Sequence, residues 1–136
     1  MSDVNRTHAT GRIEVESYEP TPYDEPPEGP QLVEIHVRET FTGDIDGEGV
    51  ARFLQAVRPD GSASFVGIER VDGAIGDRRG TFVLQDTGTL EGSKVSGEWF
   101  VIPRSGTGEL AGLRGEGGFT AELGEGASIT LDYWFE

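Results

Sequence analysis

The chain has 136 residues, 21 glycines, no cysteine and a formal net charge of −14 at pH 7. This length forms a single domain, residues 1–136, with a buried core, while the lack of cysteine excludes disulfides, thiol nucleophiles and thiolate metal sites. The acidic excess repels phosphate backbones and anionic lipid headgroups, so neither nucleic acid nor a membrane surface is an expected partner.

The N-terminal region predicts a polar tail, one strand and a proline-rich loop. Residues 1–8 are predicted to be a disordered tail, and because they lack the apolar core of a signal peptide, the protein is expected to be cytoplasmic. Polar and apolar residues alternate over 9–18, which predicts a strand with one solvent-exposed face. Several prolines in 20–30 predict a surface loop, since proline does not join the interior of a sheet. Alternatively, this loop folds over a barrel mouth with Tyr18 and Tyr23 as its apolar contacts.

Seven further segments have the composition and alternation of strands, and turn residues such as Asp72-Gly73 separate several of them. They are residues 32–41, 49–57, 64–71, 80–86, 95–102, 117–123 and 129–135. No window keeps apolar residues at helical spacing for three turns, so no helix is predicted. An exposed edge at the apolar last strand would favour aggregation, and closure removes such edges. We therefore predict an all-β fold, a single antiparallel closed barrel of about eight strands.

Residues 105–119 contain six glycines and one alanine, so bulky side chains are nearly absent from this segment. Glycine in strands often marks a bulge or the tight bend at a barrel corner. The segment does not match a phosphate-binding loop, because no lysine follows its glycines and no helix begins there. We expect it to form a corner that closes the sheet near Trp99.

Two glutamates lie on strand faces that are otherwise apolar. The neighbours on these faces are Val33, Ile35, Val37 and Phe41 around Glu39, and Phe65, Gly67 and Val71 around Glu69. A carboxyl group in a water-poor cavity has a raised pKa and can give or take a proton. Gln85, Trp99 and Tyr133 are expected to supply hydrogen bonds and a stacking wall. Alternatively, the glutamates face solvent or pair with arginine, because alternation defines relative faces and not which one is inside.

No metal site and no serine triad are predicted. Residues 44–49 resemble the start of a calcium loop, but the position that should hold its bidentate glutamate falls on Gln55, inside a predicted strand. His8 and His36 are the only histidines, and no glycine-serine-glycine elbow precedes a candidate nucleophile.

Several blocks of the sequence resemble the signature of an uncharacterised bacterial family, a domain of unknown function. They are residues 65–71 (FVGIERV), 80–85 (GTFVLQ), 105–115 (SGTGELAGLRG), 41–47 (FTGDIDG) and 131–133 (LDY). That family is similar to the allene oxide cyclase-like barrels, which include plant dirigent proteins. The chain departs from the family at Asp86, where a histidine usually follows the glutamine of the second block.

The resemblance implies an eight-stranded antiparallel barrel, often a homodimer or trimer, whose cavity steers cyclisation or coupling of an apolar substrate without a cofactor. We therefore hypothesise a cyclase or isomerase for a hydrophobic, polyketide- or polyene-like small molecule, with Glu69 as acid, base or hydrogen-bond anchor and Gln85 polarising a carbonyl. The expected substrate-binding residues are Glu39, Phe41, Trp99 and Tyr133. Two alternatives are a lipocalin-like barrel that binds an apolar small molecule without chemistry, and a barrel with a filled interior that acts only through its acidic surface.

Overall fold

The computed structural model describes residues 5–136, which form one closed barrel of eight strands in chain order, each antiparallel to the next. The strands are β1 (Thr7–Asp24), β2 (Gln31–Gly43), β3 (Ile45–Val57), β4 (Ala63–Ile75), β5 (Arg78–Glu91), β6 (Lys94–Val101), β7 (Leu113–Glu122) and β8 (Ala127–Phe135). The only helical element in the described residues is a 3₁₀ turn, Gly108–Leu110. The prediction of an all-β closed antiparallel barrel is confirmed. In residues 5–136 we find no helix of the length and apolarity needed to cross a membrane.

The interior of the barrel consists of a packed half and an open half. Alternation along each strand turns one set of side chains inward, and in the packed half these side chains exclude solvent almost completely. They include Phe41, Ile45, Val71, Phe82, Leu84, Leu110, Leu113, Ile129 and Leu131. A second, smaller cluster consists of Val33, Ile35, Val37 and Ala51, of which Ile35 and Val37 line the open half. The filled-interior alternative therefore describes only half of this barrel.

Strand β1 begins earlier and ends later than predicted. Of the expected tail, residues 1–4 lie outside the described residues, whereas Thr7 and His8 already pair with β8. At its other end β1 continues to Asp24, opposite β2. It pairs with β8 only as far as Ile13, so the rest of β1 is an edge strand. An edge tolerates proline because no partner needs the missing N–H, and the predicted loop is therefore confined to 25–30.

A β-bulge in β1 changes which side chains reach the interior. Val15 pairs with Glu39, and Ser17 pairs with Arg38. Two steps along β1 therefore correspond to one step along β2, so β1 contains one extra residue at this point. An extra residue reverses the alternation beyond it. Ser17, predicted to share the face of Val15, lies on the opposite side, and Tyr18 takes the inward side instead.

The glycine-rich segment caps the packed end of the barrel before it enters β7. Strand β6 pairs only with residues 84–91 of β5, and residues 102–109 cover the remaining edge. Thr107 N–H donates to the Thr81 carbonyl at 2.9 Å, and Val83 N–H donates to the Ser105 hydroxyl at 3.1 Å. Leu110 is completely buried beneath this cap. The segment is thus a cap followed by the first half of a strand.

Candidate functional site

The open half of the barrel holds a cavity of about 570 Å³. Its mouth lies between the edge part of β1 and the turn from β7 to β8, where Val15, Tyr18 and Leu123 line it. These three side chains are 52%, 57% and 62% exposed. A solvated apolar rim of this kind leaves a route from solvent into the cavity.

Four aromatic rings form a continuous wall of the cavity. The centroid distances are 5.5 Å from Phe53 to Phe65, 6.2 Å from Phe65 to Phe119 and 5.1 Å from Phe119 to Trp99. Each phenylalanine lies opposite a glycine, in the pairs Phe53–Gly67, Phe65–Gly88 and Phe119–Gly97. A Cβ on any of these glycines would overlap the facing ring. The glycines therefore let the rings lie against the neighbouring strands.

Three carboxyl groups form the floor of the cavity: Glu39 on β2, Glu69 on β4 and Asp86 on β5. Each lies two residues along its strand from a completely buried side chain of the packed half. Those side chains are Phe41, Val71 and Leu84. Glu69 and Asp86 are 1% exposed and Glu39 is 8% exposed. The floor therefore lies at the boundary between packed core and cavity, where little water reaches it.

Two of the carboxyl groups receive no hydrogen bond from an N–H or hydroxyl group. Both oxygens of Glu69 and Oδ1 of Asp86 are buried without such a donor, and the only hydrogen bond open to Glu69 is one shared with the neighbouring Glu39. The indole N–H of Trp99 is not available to them, because it donates to the Thr130 carbonyl at 2.9 Å. A buried polar group without a partner costs about 1–3 kcal/mol. Such a loss of stability is typical of a site that is retained for function.

Burial raises the pKa of all three carboxyl groups, because a charged group is poorly solvated there. Burial raises the pKa of Glu69 well above its ordinary value, and the neighbouring Glu39 and Asp86 raise it further. Burial also raises the pKa of Glu39, an effect that the hydrogen bond with Glu69 opposes. Burial, together with the charge of Glu39, raises the pKa of Asp86 to about 7.

These pKa directions define how the cluster holds protons. Two ionised carboxylates have no donor between them, whereas a proton on Glu69 provides a hydrogen bond to Glu39. Of Glu39 and Glu69, Glu69 binds the proton more tightly, since burial and both neighbouring charges all raise its pKa. Near neutral pH the cluster therefore contains protonated and ionised carboxyl groups side by side.

A glycine makes the approach of Glu69 to Glu39 possible. Gly49 of β3 pairs with Glu39 on one side and with Val71 on the other. A Cβ at Gly49 would overlap a carboxylate oxygen of Glu69 and would lie 2.8 Å from the ring of Phe41. The space left by the absent side chain is thus where Glu69 reaches across β3.

The structure brings together only part of the predicted site. Glu39, Glu69 and Trp99 line the cavity as expected. The predicted position of Gln85 is wrong, because the alternation of β5 turns it to the outer face, where it is exposed. Phe41 belongs to the packed half and Tyr133 packs against it; neither lines the cavity, so their expected place in its wall is also wrong.

Several polar residues that line the cavity were not predicted as site residues: Asp86, Gln55, Glu14, Glu122 and Glu125. Asp86 was noticed only as a departure from a family pattern, although it follows Leu84 at the spacing that shares a strand face. Gln55 lies on the inward face of β3, opposite Val33. Tyr18, which the alternative prediction for the proline-rich segment placed at a barrel mouth, lines the cavity because of the bulge in β1, for which the sequence carries no clear signal.

A metal site does not account for the carboxyl groups. Within residues 5–136, no group of three or more histidine, aspartate or glutamate side chains is arranged to hold a metal ion.

The model of a family described as "Protein of unknown function (DUF3224)" matches residues 9–133. A similar crystal structure, at 1.84 Å resolution, is that of a DUF3224 protein with unknown function from Shewanella oneidensis MR-1. The two chains are 30% identical, with a TM-score of 0.79, and the likeness covers 97% of this chain and 99% of the other. No curated protein matches the chain. The resemblance to an uncharacterised family that the sequence predicts is confirmed over nearly the whole barrel.

Proposed function

The chain belongs to DUF3224, a family of proteins of unknown function, and we propose that it is a cofactor-independent isomerase or cyclase. Its substrate is a hydrophobic, polyketide- or polyene-like small molecule held inside the barrel. The observation that carries this proposal is the floor of the cavity, where three buried carboxyl groups meet and neither Glu69 nor Oδ1 of Asp86 receives a hydrogen bond from an N–H or hydroxyl group.

The size and lining of the cavity support binding of one small molecule. A volume of about 570 Å³ lies within the range of roughly 300–1,000 Å³ that is usual for small-molecule sites. The aromatic wall provides flat apolar surface for a conjugated ligand. Holding such a ligand in one orientation lowers the entropic part of the barrier to an internal reaction.

The mixed protonation of the floor supports acid–base chemistry on a carbonyl compound. Glu39, when ionised, takes a proton from the carbon next to the carbonyl, and protonated Glu69 gives its proton to the carbonyl oxygen. The electron pair of the broken C–H bond becomes the double bond of an enol. Returning the protons, one of them to a different carbon, moves the double bond. Attack of the enol on an internal electrophile instead closes a ring, and the cluster ends with its original number of protons.

Elimination of nitrobenzisoxazole tests this machinery with a defined probe. A carboxylate takes the ring C–H proton, the electron pair forms a nitrile, and the N–O bond breaks to give a coloured phenolate. We expect the protein to accelerate this reaction with saturation. Glu39→Gln and Glu69→Gln each lower the rate by about a hundredfold. Glu48→Gln, at an exposed acid on the outer face, is the matched control and keeps the rate.

Non-catalytic, lipocalin-like binding of an apolar molecule is the second candidate. The aromatic wall favours it, because stacking requires a ligand but no reaction. Saturable binding of the probe with no acceleration contradicts the isomerase and supports this candidate. Equal acceleration by Glu39→Gln, with its unfolding midpoint unchanged, also contradicts the assigned roles.

A further inference from the structure

The cavity is acidic from its floor to its mouth, and we propose that its ligand is an organic cation, an apolar amine that is protonated at neutral pH. The inference rests on the proposed ligand-binding function and names the class of ligand for the same cavity.

The charge of the lining is the first argument. Six carboxyl groups line the cavity: Glu39, Glu69 and Asp86 at the floor, and Glu14, Glu122 and Glu125 at the mouth. Among the described residues of this lining there is no lysine, arginine or histidine. A cleft lined with one sign of charge concentrates ligands of the opposite sign and repels those of its own. An anionic ligand is therefore repelled, and a cation is attracted along the whole route.

The unpaired oxygens of the floor are the second argument. Oδ1 of Asp86 has no hydrogen-bond partner, and Glu69 has none besides the neighbouring Glu39; both side chains are 1% exposed. An ammonium group brings N–H donors and a positive charge together, which a ketone or an alcohol does not. A metal ion is a poorer fit, since no three such side chains in residues 5–136 are arranged to hold one.

The aromatic wall supplies the third argument. Asp86 pairs in register with Trp99, whose ring borders that of Phe119. An ammonium group on Asp86 therefore has an aromatic side chain as its cross-strand neighbour, and aromatic rings attract cations. The apolar part of the molecule then extends along Phe119 and Phe65 towards the mouth.

When an amine binds, Asp86 carries the negative charge that pairs with it, while Glu39 and Glu69 keep a shared proton. The titratable groups on the cavity are the six carboxyl groups and Tyr18. Because the pKa of Asp86 is about 7 and burial holds the pKa of Glu69 well above its ordinary value, an entering ammonium displaces the proton of Asp86 first. Amine binding therefore releases a proton to solvent, and Glu39 and Glu69 still share one for the proposed chemistry.

Calorimetric titration with three matched probes tests the inference: phenylbutylamine, which is cationic, phenylbutanol, which is neutral, and phenylbutyrate, which is anionic. We expect the amine to bind at least about tenfold more tightly than the alcohol, and phenylbutyrate to bind most weakly. Titrations in buffers with different ionisation enthalpies should show proton release for the amine alone. Asp86→Asn should lower the affinity for the amine to that for the alcohol, while the exposed control Glu48→Gln changes neither.

The outcomes separate this inference from the proposed function. Equal affinity for amine and alcohol, or full amine affinity in a folded Asp86→Asn variant, overturns the amine assignment and leaves ligand binding standing. Failure of all three probes to bind overturns both. A measurement on the unmodified protein guards against a misfolded variant: added salt should weaken binding of the amine and not of the alcohol, and equal salt dependence overturns the assignment.

Discussion

Protonation of Asp86 makes the stability of the barrel depend on pH. Burial raises the pKa of this carboxyl from 3.8 to about 7 in the folded chain. A group whose pKa is higher in the folded state binds its proton more tightly there, so folding is favoured while the proton remains bound. The stabilisation is complete below the pKa of the unfolded chain and is lost as the pH rises through about 7. The barrel should therefore be less stable at mildly alkaline pH than at mildly acidic pH.

The size of the effect follows from the same values. Each pKa unit corresponds to about 1.4 kcal/mol, so the rise from 3.8 to about 7 amounts to on the order of 4 kcal/mol. Most of this is lost between about pH 4 and about pH 7. The raised pKa values of Glu39 and Glu69 act in the same direction. Asp86→Asn removes one of the three contributions at almost constant side-chain volume.

Urea unfolding at a series of pH values, followed by tryptophan fluorescence and circular dichroism, measures this contribution. We expect the free energy of unfolding of the wild-type protein to fall as the pH rises. In Asp86→Asn the free energy of unfolding should fall less steeply. The stability of the variant relative to that of the wild type should therefore increase as the pH rises. Glu48→Gln, an exposed acid, should follow the wild type. Parallel curves for the wild type and Asp86→Asn would refute the assignment of a strongly raised pKa to this residue.

Two further substitutions test the packing around the site. Gly49→Ala places a methyl group where the Glu69 carboxyl lies, so the free energy of unfolding should fall by about 1–3 kcal/mol; an unchanged value would mean that this carboxyl moves aside without loss. Leu110→Ala, beneath the cap and completely buried, should cost about 2–5 kcal/mol in urea unfolding. Leu123→Ala, the same change at the 62% exposed mouth, should alter stability by less than about 0.5 kcal/mol, and equal losses at the two positions would contradict the division into a packed half and an open half.

Local features of the sequence were sufficient to predict the eight strands and their antiparallel order. Alternation with a period of two and turns such as Asp72-Gly73 are properties of neighbouring residues, and closure followed from the need to protect apolar edges. The extent of β1 could not be predicted from neighbouring residues alone. Whether Pro20 and Pro22 are tolerated in a strand depends on whether another strand needs their N–H groups, and β8 pairs with β1 only as far as Ile13.

The composition of the site was decided by the tertiary structure. Gln85 and Asp86 are adjacent, and which of them enters the cavity depends on which face of β5 is inside, a property of the closed barrel and not of the strand. Glu39, Glu69 and Asp86 come from β2, β4 and β5, which the pairing register of β2 to β5 brings together, and Glu69 reaches its neighbour across Gly49. The sequence by itself determined that carboxyl groups lie on apolar strand faces. Only the folded barrel made them one cluster, because strand pairing brings them close and closure of the barrel buries them, and both effects raise their pKa values.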